Sequence, residues 1–354
     1  YSFTTTTDPA PTSAQRARGI WLVGGCSGAN WTSAISAIDL FDPVTATWYP
    51  SVATLLTPVS FAAVGTGVYN GDRVLIVAGG FDATGNVRNI VQRYDIDTQT
   101  WLSNGTVLPA ARANVVGATR NNCLYVVGGT TGNATVAWAG NVATTDYEYN
   151  IAGDSWTAKV AIPARSEIAT AAFDDEIVYA GGRSAAASPP STAVDGILTI
   201  QSALTGYAEP VLTSARSGFS LVSYTPSNGS SCLIALGGLS AYAGTPTCFF
   251  FNAGTGFTPI NAMQYLRYPF SAPSTWQNCA NMPATIAFGS AVVYGNTLYY
   301  FGGTTSYTAS GTGTVYTTDL TAVATATGVA ANSWTTMATP MSTVRYGHAA
   351  VRFN

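Results

Sequence analysis

Charged side chains are scarce in this chain of 354 residues. They make up 9% of the sequence, against ~25% in typical soluble domains. The net charge is −3, Lys159 is the single lysine, and the arginines form no basic block. Because nucleic-acid binding depends on clustered basic side chains, the composition excludes a nucleic-acid partner.

Long apolar runs are also lacking. Hydrophobic residues reach 47% of the sequence, which is ample for a core. No uninterrupted stretch approaches the ~18 residues of a membrane-spanning helix. We therefore expect no membrane span.

Histidine is nearly absent, since His348 is the only one. No two cysteines have the spacing of metal ligands, acids are few, and no carboxylate pair of the glycosidase kind is marked. A Ser-His-Asp arrangement is formally open but has no supporting motif. We expect no metal and no cofactor, and a non-catalytic role is favoured.

Glycine, by contrast, recurs in a regular pattern. Six apolar runs each end in two glycines, and the second glycines are 49 to 65 residues apart. A continuous apolar run is typical of a strand buried on both faces. The doublets are Gly24-Gly25, Gly79-Gly80, Gly128-Gly129, Gly181-Gly182, Gly237-Gly238 and Gly302-Gly303.

A second motif follows the first three doublets. An aromatic residue, a turn and a tryptophan seven residues later occur at 41–48, 94–101 and 149–156, which predicts a strand, a tight turn and a returning strand. A proline, often near an arginine, comes next and leads into the following apolar run. One unit is therefore four antiparallel strands.

This combination resembles the kelch repeat, whose units are ~50 residues long. The resemblance implies an all-β fold, a six-bladed kelch-type β-propeller with four antiparallel strands per blade, lettered a to d from the centre outward. Residues 1–17 are predicted to be an extended Thr/Pro-rich arm and 18–354 a single propeller. The C-terminal "RYGHAAVRFN" (345–354) is predicted to pair beside Trp21 and close the ring. In blade five we place Cys248 in strand c and treat 253–275 as an insertion; a seventh blade hidden there is the alternative.

The propeller implies two faces, and we place the ligand site on the one that carries the b–c loops and the d–a crossovers. Its arginines either tie crossover carbonyls together or capture an acidic ligand, and its aromatic side chains suit a glycan. The candidate ligand-binding residues are Arg112, Arg165, Arg183, Arg216, Arg345, Tyr242, Tyr307 and Trp138.

Two features favour export. A hairpin centred near residue 240 would place Cys232 opposite Cys248, and Cys26 and Cys279 would face the same side of neighbouring blades, so we predict the disulfides Cys232–Cys248 and Cys26–Cys279, with Cys123 free. Disulfides indicate an oxidising compartment. Glycosylation acceptor triplets begin at Asn30, Asn104, Asn133 and Asn228.

These observations lead to a secreted, glycosylated binding or structural module. Its partners would be a glycan or a protein, or further copies of itself in an oligomer or filament joined through the N-terminal arm. The alternative, implied by the family resemblance, is a secreted sugar-active enzyme of the sialic-acid mutarotase type. Glu167 and Arg165 are the only catalytic candidates for it.

Overall fold

The computed structural model describes most of the chain. The described residues are 10–28, 33–135, 141–184, 190–198, 208–227, 229–243, 256–268, 275–306, 309–326, 328 and 330–353. Within them the chain forms two short helices and 26 strands.

The helices are α1 (Ser13–Arg18) and α2 (Thr321–Thr325). In chain order the strands are β1 (Ile20–Val23), β2 (Ala37–Asp42), β3 (Thr47–Thr54), β4 (Ala63–Tyr69), β5 (Asp72–Ala78), β6 (Val91–Asp95), β7 (Thr100–Trp101), β8 (Val116–Arg120), β9 (Cys123–Val127), β10 (Thr145–Asn150), β11 (Ser155–Ala161), β12 (Ser166–Phe173), β13 (Glu176–Arg183), β14 (Val194–Leu198), β15 (Ala208–Glu209), β16 (Ser220–Tyr224), β17 (Cys232–Leu236), β18 (Leu239–Ala243), β19 (Gly256–Pro259), β20 (Met263–Arg267), β21 (Gln277–Asn278), β22 (Ser290–Tyr294), β23 (Thr297–Phe301), β24 (Val315–Asp319), β25 (Trp334–Thr336) and β26 (Ala349–Val351).

The described strands make six four-stranded sheets and one two-stranded ribbon, all antiparallel. The expectation of an all-β propeller with antiparallel four-stranded blades is confirmed. From the inner strand outward the sheets are β26-β1-β2-β3, β4-β5-β6-β7, β8-β9-β10-β11, β12-β13-β14-β15, β16-β17-β20-β21 and β22-β23-β24-β25.

The inner strands of the sheets surround a central channel. Each contacts the inner strand of the next sheet, in the order β4, β8, β12, β16, β22 and β26, and β26 contacts β4 in turn. In the first sheet, β26 from the C-terminus lies beside β1, with Trp21 opposite Val351. The indole N–H of Trp48 in this sheet donates to the carbonyl of Thr339, which precedes β26.

The glycine doublets are required by the backbone. Both glycines of every doublet have φ between 59° and 100°, a region that residues with a Cβ rarely adopt. A Cβ on the first glycine would lie closer than 3.0 Å to a carbonyl oxygen of the crossover that leaves its sheet. The N–H of the second glycine donates to that same carbonyl at 2.7–3.0 Å. The doublet thus fastens each sheet to the segment leading into the next.

Blade five differs from the prediction. Its third strand is β20, where Met263 lies opposite Leu236 and Arg267 opposite Cys232. The insertion therefore lies between strands b and c, where β18 and β19 pair as the ribbon, and the assignment of 253–275 as an insertion after strand c was wrong. The apolar residues near Cys248 have the sequence pattern of a strand, which led to the wrong assignment of strand c. Cys248 itself lies outside the described residues.

Neither predicted disulfide is found among the described residues, whereas Cys123 is free as predicted. Cys232, Cys26 and Cys279 are buried and are not joined in disulfides. Cys26 lies in an apolar cluster with Tyr346, whereas Cys279 packs in another cluster with Met282, so the two thiols belong to separate parts of the core. Burial raises the pKa of Cys26 to about 11 and of Cys279 to about 12, which keeps both as unreactive thiols.

The N-terminal segment is not extended throughout. Residues 13–18 form α1, whose start is capped by reciprocal hydrogen bonds between Thr12 and Gln15. The buried Arg16 donates to the carbonyl of Ile96 at 2.8 Å, and Arg18 makes a two-pronged ion pair with Asp42. These contacts fasten α1 across the first two sheets. Residues 1–9 lie outside the described part, so self-association through them stays a prediction.

We predict that Gly79→Ala destabilises the fold strongly, because the new Cβ would overlap the carbonyl of Arg112 in addition to requiring a left-handed backbone. We expect a loss of ~3 kcal/mol or more in the free energy of unfolding, measured by chemical denaturation. Gly295→Ala is the matched control, since Gly295 also has a positive φ but nothing lies within 4 Å of the point where a Cβ would stand. It should lose only ~1 kcal/mol. Equal losses in the two variants would contradict this account of the doublets.

Candidate functional site

The crossover arginines form hydrogen bonds with backbone groups. Four of them donate from the guanidinium to the carbonyl of the first glycine in the doublet of the sheet they enter, at 3.0–3.5 Å. Their own carbonyls accept from the second glycine of the sheet they leave. The four are Arg112, Arg165, Arg216 and Arg345.

This arrangement favours the structural interpretation over ligand capture. Arg216 and Arg345 have no exposed surface. Arg216 also donates to Gln264, and Arg345 forms an ion pair with Asp39 at 2.5 Å. In this structure neither guanidinium can reach a ligand on the face where we expected one.

The catalytic candidates are not brought together as expected. Both carboxylate oxygens of Glu167 accept hydrogen bonds from the guanidinium of Arg183, at 2.9 and 2.5 Å. Both side chains are buried. Arg165 instead points one guanidinium N–H at the carbonyl of Gly181. Glu167, the expected catalytic acid of the sugar-active alternative, is therefore ion-paired with Arg183, which the sequence did not indicate as its partner.

Glu167 belongs to a ring of six equivalent residues that we call the collar. Each lies two residues after a crossover position and has a φ between 52° and 58°. The collar consists of Phe61, Asn114, Glu167, Gly218, Phe288 and Gly347.

Backbone hydrogen bonds run round most of the collar. Gly218 donates to Glu167, Phe288 to Gly218, Gly347 to Phe288 and Phe61 to Gly347, all at 2.7–2.8 Å. Val115, next to Asn114, donates to Phe61 at 3.3 Å. The channel is narrow at the collar because backbone segments from neighbouring sheets approach to hydrogen-bonding distance.

Aromatic rings fill the space that the collar backbone encloses. Phe61 and Phe288 meet edge to face with centroids 5.7 Å apart. They lie where a Cβ on Gly347 or Gly218 would stand, so the two glycines leave room for the two rings. Phe61 also packs against Phe81 within a larger apolar cluster on this face. The channel is thereby closed on the face that carries the b–c loops and crossovers.

Away from the collar the channel widens. Three successive cavities of about 150, 390 and 680 Å³ share wall residues along the inner strands. The third lies at the a–b turns and includes Asn121 and Asp174. The channel is therefore a funnel. It opens at the a–b turns, on the face opposite to the one where we expected the ligand site.

We call the 680 Å³ cavity the mouth. Its wall carries the hydroxyls of Thr66, Thr119 and Ser223, together with apolar surface from Val68 and Phe353. Its volume falls in the range of small-molecule sites, which combine apolar walls with a few polar groups. Sequence reasoning missed these residues, although the a–b turns could have been located from the doublet spacing.

His348 has a structural position. It is buried, neither ring nitrogen has a hydrogen-bond partner among the described residues, and burial together with nearby Arg345 lowers its pKa well below the usual value. Its ring lies near Gly302 and Met341, between the sixth and first sheets. A neutral imidazole in this place serves packing rather than proton transfer.

The remaining candidates divide into tested and untested positions. Trp138, Tyr307, Asn30 and Asn228 lie outside the described residues, and Tyr242 is described only as part of β18. Asn104 is exposed. Asn133 is half-buried, and its side-chain oxygen accepts from the N–H of Val87.

Two kinds of feature are absent from the described residues. No group of three or more His, Cys, Asp or Glu side chains there is arranged to hold a metal ion. No helix in that part of the chain is both long enough and apolar enough to cross a bilayer.

Comparison with known proteins supports the fold. No protein-family model matches the sequence, and no curated protein matches it either. Among solved structures, that of YjhT is similar, with a TM-score of 0.66 over 92% of this chain and 98% of that one. The two sequences are 13% identical, so the likeness shows a shared β-propeller fold alone.

One buried carboxyl, that of Asp146, is only partly hydrogen-bonded. Asp146, in the third sheet, accepts from the N–H of Gly128, and its other oxygen has no partner in the described structure. Burial raises its pKa to about 7 despite the nearby Arg112. In the first sheet, one position further along the equivalent strand, the buried carboxylate of Asp39 is paired with Arg345.

We predict that Asp146→Asn stabilises the protein above pH 7. A carboxyl with a raised folded pKa contributes stability below its unfolded pKa near 4, and this is lost as the pH rises towards 7. The variant should gain on the order of 4 kcal/mol relative to the native chain at pH 8 and little at pH 4. Thermal unfolding across this range measures the difference. Asp39→Asn is the control and should destabilise at pH 8, because it breaks a buried ion pair.

Proposed function

We propose that this protein is a secreted, glycosylated kelch-type propeller that binds a glycan in the mouth of its channel and has no catalytic role. The observation that carries the proposal is the shape of the channel, which is closed by the collar at one end and open as a funnel at the other. A site held by rigid inner strands needs little ordering when a ligand binds.

The architecture behind the proposal is a six-bladed ring closed by the C-terminal strand. Its support is the pairing of β26 with β1 and the collar bonds on both sides of Gly347. Kelch identity is supported by the doublets and by the tryptophans that follow them. Trp156 and Trp276 each donate from the indole to a carbonyl of the preceding sheet, as repeats of one kind would.

A binding role is favoured over an enzyme because of how the acids are placed. Glu167 is locked to Arg183 beside the collar, and Asp175 pairs with Arg120 at 2.9 Å. General acid–base catalysis needs a carboxyl that can reach the substrate and exchange its proton. The wall of the mouth carries mainly hydroxyl and amide groups, which suit the hydroxyls of a sugar, and one acid, Asp174, whereas glycoside hydrolysis needs a pair.

Export and glycosylation complete the proposal, and Asn104 is the acceptor best placed for it. It stands in an exposed loop, whereas the amide oxygen of Asn133 is engaged. Peptide mass spectrometry of the protein from its native source should find an Asn-linked glycan at Asn104. An unmodified Asn104 in that material would contradict this part of the proposal.

We predict that Val68→Trp abolishes glycan binding. Val68 lines the mouth and is 45% exposed, so an indole there fills the entrance without disturbing the core. Binding to a glycan array, followed by calorimetry with the best oligosaccharide, measures the effect, and we expect a loss of at least tenfold. Val344→Trp is the matched control on the closed face, where the valine is 42% exposed; it should bind like the native chain. Equal binding by both variants would place the site elsewhere.

A further inference from the structure

An aromatic pair stands at one side of the mouth. Phe173 ends β12 and forms part of the wall, and Tyr268 follows β20 with its ring centroid 5.8 Å from that of Phe173. Phe173 is almost completely buried, whereas Tyr268 is 43% exposed. The backbone N–H of Tyr268 donates to the carbonyl of Ser231, which fixes the position from which the ring projects.

Such a pair presents one supported ring to the solvent. Phe173 backs Tyr268, so little side-chain freedom remains to be lost when a ligand packs on the tyrosine. An aromatic face carries partial negative charge and attracts the weakly positive C–H groups of a sugar ring, while the phenol can hydrogen-bond to its hydroxyls. The hydroxyls of Thr66 and Thr119 stand across the same mouth.

The charges around the funnel decide the class of sugar. In the described residues that line the mouth and the cavity above it, or pair with them, Arg120 and Arg352 balance Asp174 and Asp175. Arg120 is already paired with Asp175 at 2.9 Å, and the guanidinium of Arg352 lies over the ring of Tyr294 and donates to the carbonyl of Phe353. At the mouth itself Asp174 and Asp175 outnumber Arg120, so a sugar acid would meet an excess of negative charge there, and burying its carboxylate would be unfavourable.

We propose that the mouth is selective for neutral sugars and that Tyr268 is the residue on which a sugar ring stacks. The inference rests on the proposed function, because it names the ligand class and a contact residue of the same site. It assigns to Tyr268 a role in specificity that its position outside the channel wall does not by itself indicate.

The experiment uses the full chain and a glycan array with neutral oligosaccharides and their sialylated or uronic counterparts. The native protein should bind neutral members and discriminate against the acidic ones. Affinity for the best neutral oligosaccharide, measured by calorimetry, should fall roughly fivefold in Tyr268→Ala, the scale of one aromatic contact. Tyr268→Phe keeps the ring and should retain most of the affinity. Thermal unfolding of both variants should match the native chain because the side chain is exposed.

The outcomes separate the two proposals. If Val68→Trp abolishes binding but Tyr268→Ala binds like the native chain, the mouth is the site and the role of Tyr268 is overturned. Preference for the acidic members overturns the neutral class. Absence of glycan binding, or binding that Val68→Trp leaves intact, overturns both. Loss in Tyr268→Ala with retention in Tyr268→Phe supports the inference.

Discussion

The hydrogen bond from the second glycine of each doublet to a crossover carbonyl is the interaction on which the rest of the structure depends. It joins the end of one sheet's second strand to the segment that enters the next sheet. The first glycine lets the two backbone segments approach to hydrogen-bonding distance, since any side chain there would clash with the same carbonyl. Where the crossover carries an arginine, its guanidinium binds the next doublet as well, so one residue ties two sheets.

The same constraint decides where the molecule is open. Two residues beyond each tied crossover, the backbone turns through a left-handed conformation and reaches its neighbour in the collar. Drawing the inner strands together at this end lets them diverge towards the a–b turns. The closed face and the funnel are therefore two results of one repeated contact, and the position of the mouth follows from the packing of the blades.

The crossovers also explain how a chain so poor in charge uses what it has. Asp39 forms an ion pair with Arg345, Gln264 gives Arg216 a neutral acceptor, and the ring of Tyr147 lies against the guanidinium of Arg112. The three solutions fill corresponding places in different sheets. A buried guanidinium requires polar or aromatic partners, but the repeat tolerates different ones because backbone carbonyls already bind one terminal nitrogen of each guanidinium.

The sequence by itself determined the architecture. Doublets at regular intervals and the aromatic-to-tryptophan spacing predict four-stranded units, because both depend on local backbone geometry and burial. Tertiary structure alone decided that Glu167 meets Arg183, that Cys232 lies opposite Arg267, and that the mouth opens at the a–b turns. Each of these depends on register or on contacts between sheets, and an arginine or a cysteine carries no sign of its partner in its own neighbourhood. Short-range rules determined the repeating unit, and contacts between residues distant in sequence decided which side chains are buried and which are exposed at the mouth.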